Sequence, residues 1–198
     1  GGYVPAVFGD RAYVPRDPNS PSAGINVVVA STGIVLPPLT TSHSDPPSGS
    51  LYPDRTVAID RSGRFAAIVD RGTLMVFDLA NGRLAWRLHR GYDQVSAIRD
   101  GVIYASGFRA FDARELATGR IVWSQPTPVS SFDHGSIVTD SHAFLTRDGR
   151  VGVFELTTGA LQRELDAYGV CSIAPGLLMV IASNQGIVSA FEFDARPG

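Results

Sequence analysis

The chain holds a single cysteine, Cys171, and no lysine: all 17 basic residues are arginine. One thiol can form neither an intrachain disulfide nor a thiolate metal cluster. Cys171 lies in the apolar run Val170-Cys171-Ser172-Ile173, which predicts a buried, inert thiol. The arginine-only usage carries no functional reading. No apolar stretch reaches the ~18 residues that a membrane-spanning helix needs. No secretory leader is visible, and Gly1-Gly2 reads as a processed end, a tag remnant or a cut, which leaves a removed leader open. The net charge of −2 gives no attraction for nucleic acid or for an anionic membrane surface. With 21 Gly and 13 Pro, long helices are not expected.

What is present is a hydrophobic fraction of 44%, enough for a sizeable core, and a repeated hairpin. Its clearest copy is residues 72–88. Leu74 to Phe77 reads as a buried strand, Asp78 to Gly82 as a turn with the Asn81-Gly82 hairpin signal, and Leu84, Trp86 and Leu88 as an alternating second strand. The turn glycine recurs at Gly33, Gly82, Gly119, Gly159 and Gly198. The last four are 37, 40 and 39 residues apart, and the first interval, 49, is longer by about one loop. Strands at a period of about 40 predict an all-β chain, a β-propeller with one four-stranded blade per repeat. About five blades are expected, alone or within a larger ring of seven or eight.

In order, blades are expected at about 3–36, 56–88, 94–125, 128–165 and 168–198, in a single propeller domain or propeller fragment. The first has strands at Val4 to Phe8, Ala12 to Val14, Ile25 to Val29 and Ile34 to Leu36, with a loop over 15–24. Residues 37–55, rich in Pro, Ser and Thr, read as an inserted surface loop, a place where binding often resides. The next three blades have four strands each. The fifth has three, and its strand near 187–193 is expected to leave an unpaired edge. Tight turns are expected at Asp70-Arg71-Gly72, Ser106-Gly107, Arg147-Asp148-Gly149 and Asn184-Gln185-Gly186.

These repeats resemble those of pyrroloquinoline-quinone-like (PQQ-like) propellers, roughly Ala/Phe-x-Asp-x-x-Thr-Gly-x-x-x-Trp. Phe77-Asp78 with Asn81-Gly82 and Trp86 matches. Phe111-Asp112 with Thr118-Gly119 and Trp123 matches with three extra residues. Phe154-Glu155 with Thr158-Gly159 matches with Arg163 for the Trp, and Phe193-Asp194 with Gly198 matches to the end. In the first repeat only Thr32-Gly33 remains, with Pro37 at the Trp position. WD40 propellers share much of this pattern. The resemblance implies that Trp86 and Trp123 dock on the Thr-Gly turn of a neighbouring blade, a packing role. It also points to an extracytoplasmic setting, at a bacterial periplasm or cell surface.

No residues are assigned as catalytic, cofactor-binding or metal-binding, and no cofactor is expected. The family's quinone enzymes use adjacent cysteines, a calcium set and a catalytic Asp; the first cannot exist here and no calcium set is visible. His43, His89, His134 and His142 lack zinc spacing, and no Gly-x-Ser-x-Gly motif marks a nucleophile. Asp60 reads as a turn residue, and Arg61, Arg71, Arg90 and Arg114 as solvated charges. The leading reading is a non-enzymatic interaction scaffold or sensor propeller that binds a protein or peptide on a loop face, with a protein partner or a propeller-completing chain. The alternative is a quinoprotein-like oxidoreductase or propeller hydrolase with a site at the central channel. Converging carboxylates and histidines at the channel mouth would favour the enzyme; an apolar or Arg-rich groove across one face would favour the scaffold.

Overall fold

The computed structural model describes residues 3–17, 22–42, 55–89, 91–126, 136–147, 149–167, 169–174, 177–182 and 187–192. All regular structure there is β. After β1 (Tyr3–Val4), the first sheet contains β2 (Ala6–Phe8), β3 (Arg11–Pro15), β4 (Ser22–Val29) and β5 (Val35–Ser42). After β6 (Arg55–Thr56), the second contains β7 (Ala58–Ile59), β8 (Phe65–Asp70), β9 (Thr73–Asp78) and β10 (Arg83–His89). The third contains β11 (Tyr92–Arg99), β12 (Val102–Gly107), β13 (Ala110–Glu115) and β14 (Ile121–Pro126). The fourth contains β15 (Ile137–Val138), β16 (His142–Arg147), β17 (Arg150–Glu155) and β18 (Leu161–Leu165). The fifth has three strands, β19 (Val170–Ala174), β20 (Leu177–Ala182) and β21 (Ile187–Glu192). Each sheet is an antiparallel meander, and among the described residues β21 has one strand partner.

The sheets stack face to face. In the second, alternation along β8 and β9 sends Ala66, Ile68, Met75 and Phe77 into a core shared with the first sheet. Ala67, Val69, Leu74 and Val76 go into a core shared with the third. A strand buried on both faces must be apolar at every position, which is why this stretch reads as an unbroken hydrophobic run. Further cores join the third sheet to the fourth and the fourth to the fifth. Among the described residues no core cluster joins the fifth to the first. The large fully buried side chains Phe77, Phe111, Phe144 and Phe154 each contribute up to about 3 kcal/mol of burial.

The outer turns repeat closely. Gly33, Gly82, Gly119 and Gly159 have φ of +71°, +67°, +73° and +71°. Each donates its N–H to the carbonyl four residues back, on Val29, Asp78, Glu115 and Glu155. This corrects the sequence alignment of the third repeat. Its turn residue is Glu115, three residues beyond Asp112, so nothing is inserted and Glu115-Leu116-Ala117-Thr118-Gly119 is the full turn. The residue after each turn acid ties outer turn to inner turn: Leu79 N–H donates to Arg64 O (2.7 Å), Leu116 to Gly101 O (2.7 Å) and Leu156 to Ser141 O (2.9 Å).

Four further expectations are corrected. Val4 to Phe8 is not one strand: it breaks at Pro5, which has no N–H to donate. The short β1 pairs in parallel with β6, Tyr3 opposite Arg55 and Val4 opposite Thr56. The 15–24 loop is shorter, since β4 begins at Ser22. Gly24 permits this: with φ +145°, a Cβ there would fall 1.9 Å from Leu39 O, so only glycine lets β5 approach. Residues 37–42 belong to β5, not to the inserted loop; Pro37 and Pro38 are exposed on this outer edge strand, where a missing N–H costs no ladder bond. Residues 43–54 lie outside the described residues. Ser106 and Gly107 are strand residues, and the turn falls at Phe108-Arg109.

Candidate functional site

At the end carrying the outer turns, the first and second sheets frame a groove of about 580 Å³. The β2–β3 turn supplies Phe8, Asp10 and Arg11; the facing turns of the second sheet supply Arg64, Leu79 and Ala80. Phe8, 40% exposed, rests on Gly63, where a Cβ would come within 2.0 Å of its ring. Gly63 also has φ +71°, so the turn needs glycine twice over. Asp60 holds this turn: Oδ1 accepts from Phe65 N–H (2.6 Å) and Oδ2 from Ser62 N–H (3.1 Å).

The charges of the groove are unequal. Asp10 is engaged by Ser31, whose N–H (2.9 Å) and hydroxyl (2.5 Å) both donate to it. Arg64 stacks its guanidinium over Phe65, 5.0 Å from the ring centroid. Arg11 is exposed. Among the described residues no ion pair involves Arg11 or Arg64. An aromatic wall beside two guanidinium groups suits a segment offering a carboxylate next to an apolar side chain.

The sequence reading missed these residues. From the sequence, Phe8 and Arg64 read only as residues of the strands near 4–8 and 64–69. The available signal was a large apolar side chain directly before a Gly-Asp turn.

Asp112, matched to the aspartate of the repeat, and Arg114, read as a solvated charge, are instead a buried pair between the second and third sheets, 3% and 4% exposed. Arg114 Nη2 donates to Asp112 Oδ2 at 2.7 Å, its Nε to the Tyr92 hydroxyl at 2.8 Å and its Nη1 to Gly119 O at 2.8 Å. Tyr92 donates its hydroxyl to Asp112 Oδ2 (2.5 Å), and Ser124 donates to Oδ1 (2.6 Å). Burial alone would raise the Asp112 carboxyl; the hydrogen bonds from Ser124, Tyr92 and Arg114 and the guanidinium charge reverse this and hold it below the ordinary carboxylate value. Burial, with the Asp112 carboxylate, pushes the Tyr92 phenol well up. With its partners supplied from within the fold, this cluster acts as structure.

The tryptophans dock as the resemblance implied. Trp86 Nε1 donates to Leu116 O (2.7 Å) and its ring covers Gly119, while Trp123 Nε1 donates to Leu156 O (2.9 Å) and its ring covers Gly159. Trp123 is buried and Trp86 half-buried. In the first sheet Leu39, not Pro37, is the buried residue nearest the next turn, its Cδ2 3.7 Å from where Gly82 would carry a Cβ.

The remaining sequence candidates do not converge. His89 Nδ1 meets the Thr73 hydroxyl (2.7 Å). His142 bridges Ser141 (2.8 Å) and Gln162 (2.9 Å). His43, His134 and Arg90 lie outside the described residues. Arg61 is exposed, and Arg71, with φ +49°, sits in the β8–β9 turn. Cys171 is buried, and burial raises its thiol, against a weaker opposing contact from Thr146. Between the inner strands of the third and fourth sheets, Gln94 and Ser96 bond Ser136, and Arg99 pairs with Asp140. Among the described residues, no three His, Cys, Asp or Glu side chains form a group that could hold a metal.

The fold is that of a β-propeller, and solved structures match it. BamB from Moraxella catarrhalis superposes with TM-score 0.65 at 17% identity, covering 95% of this chain and 56% of that one. The β-propeller domain of Cps50 (Swd1) from Myceliophteria thermophila gives 0.66 at 14%, covering 98% and 66%. Hydrazine synthase from Kuenenia stuttgartiensis gives 0.61 at 14%, covering 94% and 61%. The chain thus spans between 56% and 66% of the length of these structures. No protein-family model and no curated protein matches the sequence.

Proposed function

We propose that the chain is a non-enzymatic interaction scaffold of the PQQ-like type that binds a protein or peptide partner on the loop face carrying the outer turns. The observation that carries this reading is the groove between the first and second sheets. It presents two guanidinium groups without a carboxylate partner among the described residues, an exposed Phe8 ring and a wall fixed by main-chain bonds between turns. Such a surface discriminates by charge and by one apolar anchor, the usual division of labour in recognition. Nothing in it resembles an activated nucleophile or a proton-transfer pair.

The experiment is site-specific photo-crosslinking in the source cells, with benzoylphenylalanine at position 8 and, as a control, at the exposed position 163 in the fourth sheet. The expected result is one discrete adduct from position 8, lost when Arg11→Glu and Arg64→Glu are added. Turnover of a small-molecule substrate by the purified chain, abolished by a channel-lining substitution, would replace this reading with an enzymatic one.

A further inference from the structure

At the end carrying the outer turns, the seam between two stacked sheets closes with one row of side chains beyond the core. In the first sheet this row is Phe8, Arg11 and Val29, opposite one another on β2, β3 and β4. It shares a face with Tyr13 and Val27, which pack on the second sheet, and all three residues line the groove. In the third sheet the corresponding row is Arg99, Val102 and Glu115. It shares a face with Tyr104 and Ala113, which pack on the fourth sheet.

The two seams treat their cation differently. Between the third and fourth sheets it is answered from within: Arg99 pairs with Asp140 in the β15–β16 turn. The outer-turn position of that row is an acid, Glu115, as it is Asp78 and Glu155 in the second and fourth sheets; in the first sheet it is Val29. The turn across the seam differs as well. Asp60 N–H donates to Phe65 O as Thr139 N–H donates to His142 O, so Asp60 and Thr139 open corresponding turns. The next residue is Asp140 in one and Arg61 in the other.

The turn across the seam from Arg11 thus carries Arg61 and Arg64 in place of an acid. Two carboxylates are close in the chain, and both close turns: Asp10 accepts from Ser31, and Asp60 from Ser62 and Phe65. Among the described residues neither forms an ion pair with Arg11 or Arg64.

We propose that the partner supplies at this seam the carboxylate that Asp140 supplies at the other: an Asp or Glu side chain beside a large apolar residue, the carboxylate meeting Arg11 and Arg64 and the apolar group meeting Phe8. This rests on the interaction reading above and narrows it to one chemistry. Guanidinium groups bind a carboxylate through forked, charge-assisted hydrogen bonds. Like charges on two facing turns repel until an anion enters between them. Phe8, seated on Gly63, offers the apolar neighbour a ring held in place.

The test uses the purified chain and short fluorescein-labelled peptides of Gly and Ser, amidated at the C-terminus, with a central Glu-Phe, Gln-Phe, Lys-Phe or Glu-Ser. In anisotropy titrations the Glu-Phe peptide is expected to bind, more weakly as salt is added. Gln-Phe and Lys-Phe are expected to lose about tenfold or more, the scale of a hydrogen bond to a charged group, and Glu-Ser to lose affinity with the anchor. Arg11→Gln and Arg64→Gln are each expected to cause a loss of the same order for Glu-Phe, with melting as the folding control. Arg163→Gln, at an exposed position of β18, is expected to bind as the unmodified chain does. The proposal is overturned if Gln-Phe binds as well as Glu-Phe, if neither arginine variant weakens binding, or if only a peptide with a free C-terminal carboxylate binds. It is also overturned if no peptide binds. A discrete cellular adduct from position 8 would in that case leave the interaction reading standing, whereas the absence of an adduct would remove that reading separately.

Discussion

One residue three positions short of a turn acid shows how much a single register matters. Asp112 points toward the second sheet and meets Arg114, Tyr92 and Ser124 in a space closed to water. Removing one member of such a pair leaves a buried charge alone. Asp112→Ala should therefore cost about 3–5 kcal/mol, read by urea unfolding. The double replacement Asp112→Leu/Arg114→Met should restore most of that loss, because it removes the desolvation of both charges. If the double variant is as unstable as the single one, the pair is required for packing shape and not for charge balance. The pH dependence follows from the shifts. Asp112 has a lowered folded value, so its contribution is present above its ordinary value of 3.8 and fades as pH falls below it. Tyr92 has a raised folded value, so its contribution is present below 10.0 and fades as pH rises beyond it. Wild-type stability should exceed that of Asp112→Leu/Tyr92→Phe/Arg114→Met by its largest margin between these limits.

At the scale of the element, the unit is the outer hairpin with its neighbour's tryptophan. The left-handed glycine closes the turn, and its missing Cβ makes room for an indole from the preceding blade. A Cβ on Gly159 would lie 2.6 Å from the Trp123 ring, and one on Gly119 3.0 Å from Trp86. A β-bulge just before each tryptophan, between Leu84 and Trp86 and between Ile121 and Trp123, aims the side chain at the next sheet. Trp123→Ala should destabilise by about 3–5 kcal/mol, and Trp86→Ala by less, because that ring is only half-buried. Thermal melting of the two variants checks the order; equal losses would show that the indole hydrogen bond outweighs burial.

For the whole molecule, stability should run along the stack. Among the described residues, core clusters cover the second, third and fourth sheets on both faces and the first and fifth on one each. Stacked units that touch only their neighbours have stability close to a sum of unit and interface terms. Amide hydrogen exchange should show strongest protection in β8, β9, β12 and β13 and weakest in β2 and β21. Uniform protection over all five sheets would mean that the first and fifth are joined.

The strand plan was legible because its causes are local. Period-two apolar runs, Asn-Gly and Thr-Gly turns and a spacing near 40 residues each act within a few positions, and together they dictate hairpins stacked as blades. The docking role of the tryptophans came from the resemblance of their repeat to PQQ-like propellers. The sequence was misleading where a residue's meaning depends on what faces it. Asp112 looks like a turn acid until β13 and β14 pair, and Arg114 looks solvated until Tyr92 arrives from another strand. Pro37 and Pro38 look like loop residues until β5 lies at an edge, where their missing N–H is harmless. The groove was invisible for the same reason: Phe8 and Arg64 are 56 positions apart in the chain and come together only when two blades pack. Local preference decides which segments become strands; only the stacking of one sheet on another decides which side chains are buried, paired or left open to a partner.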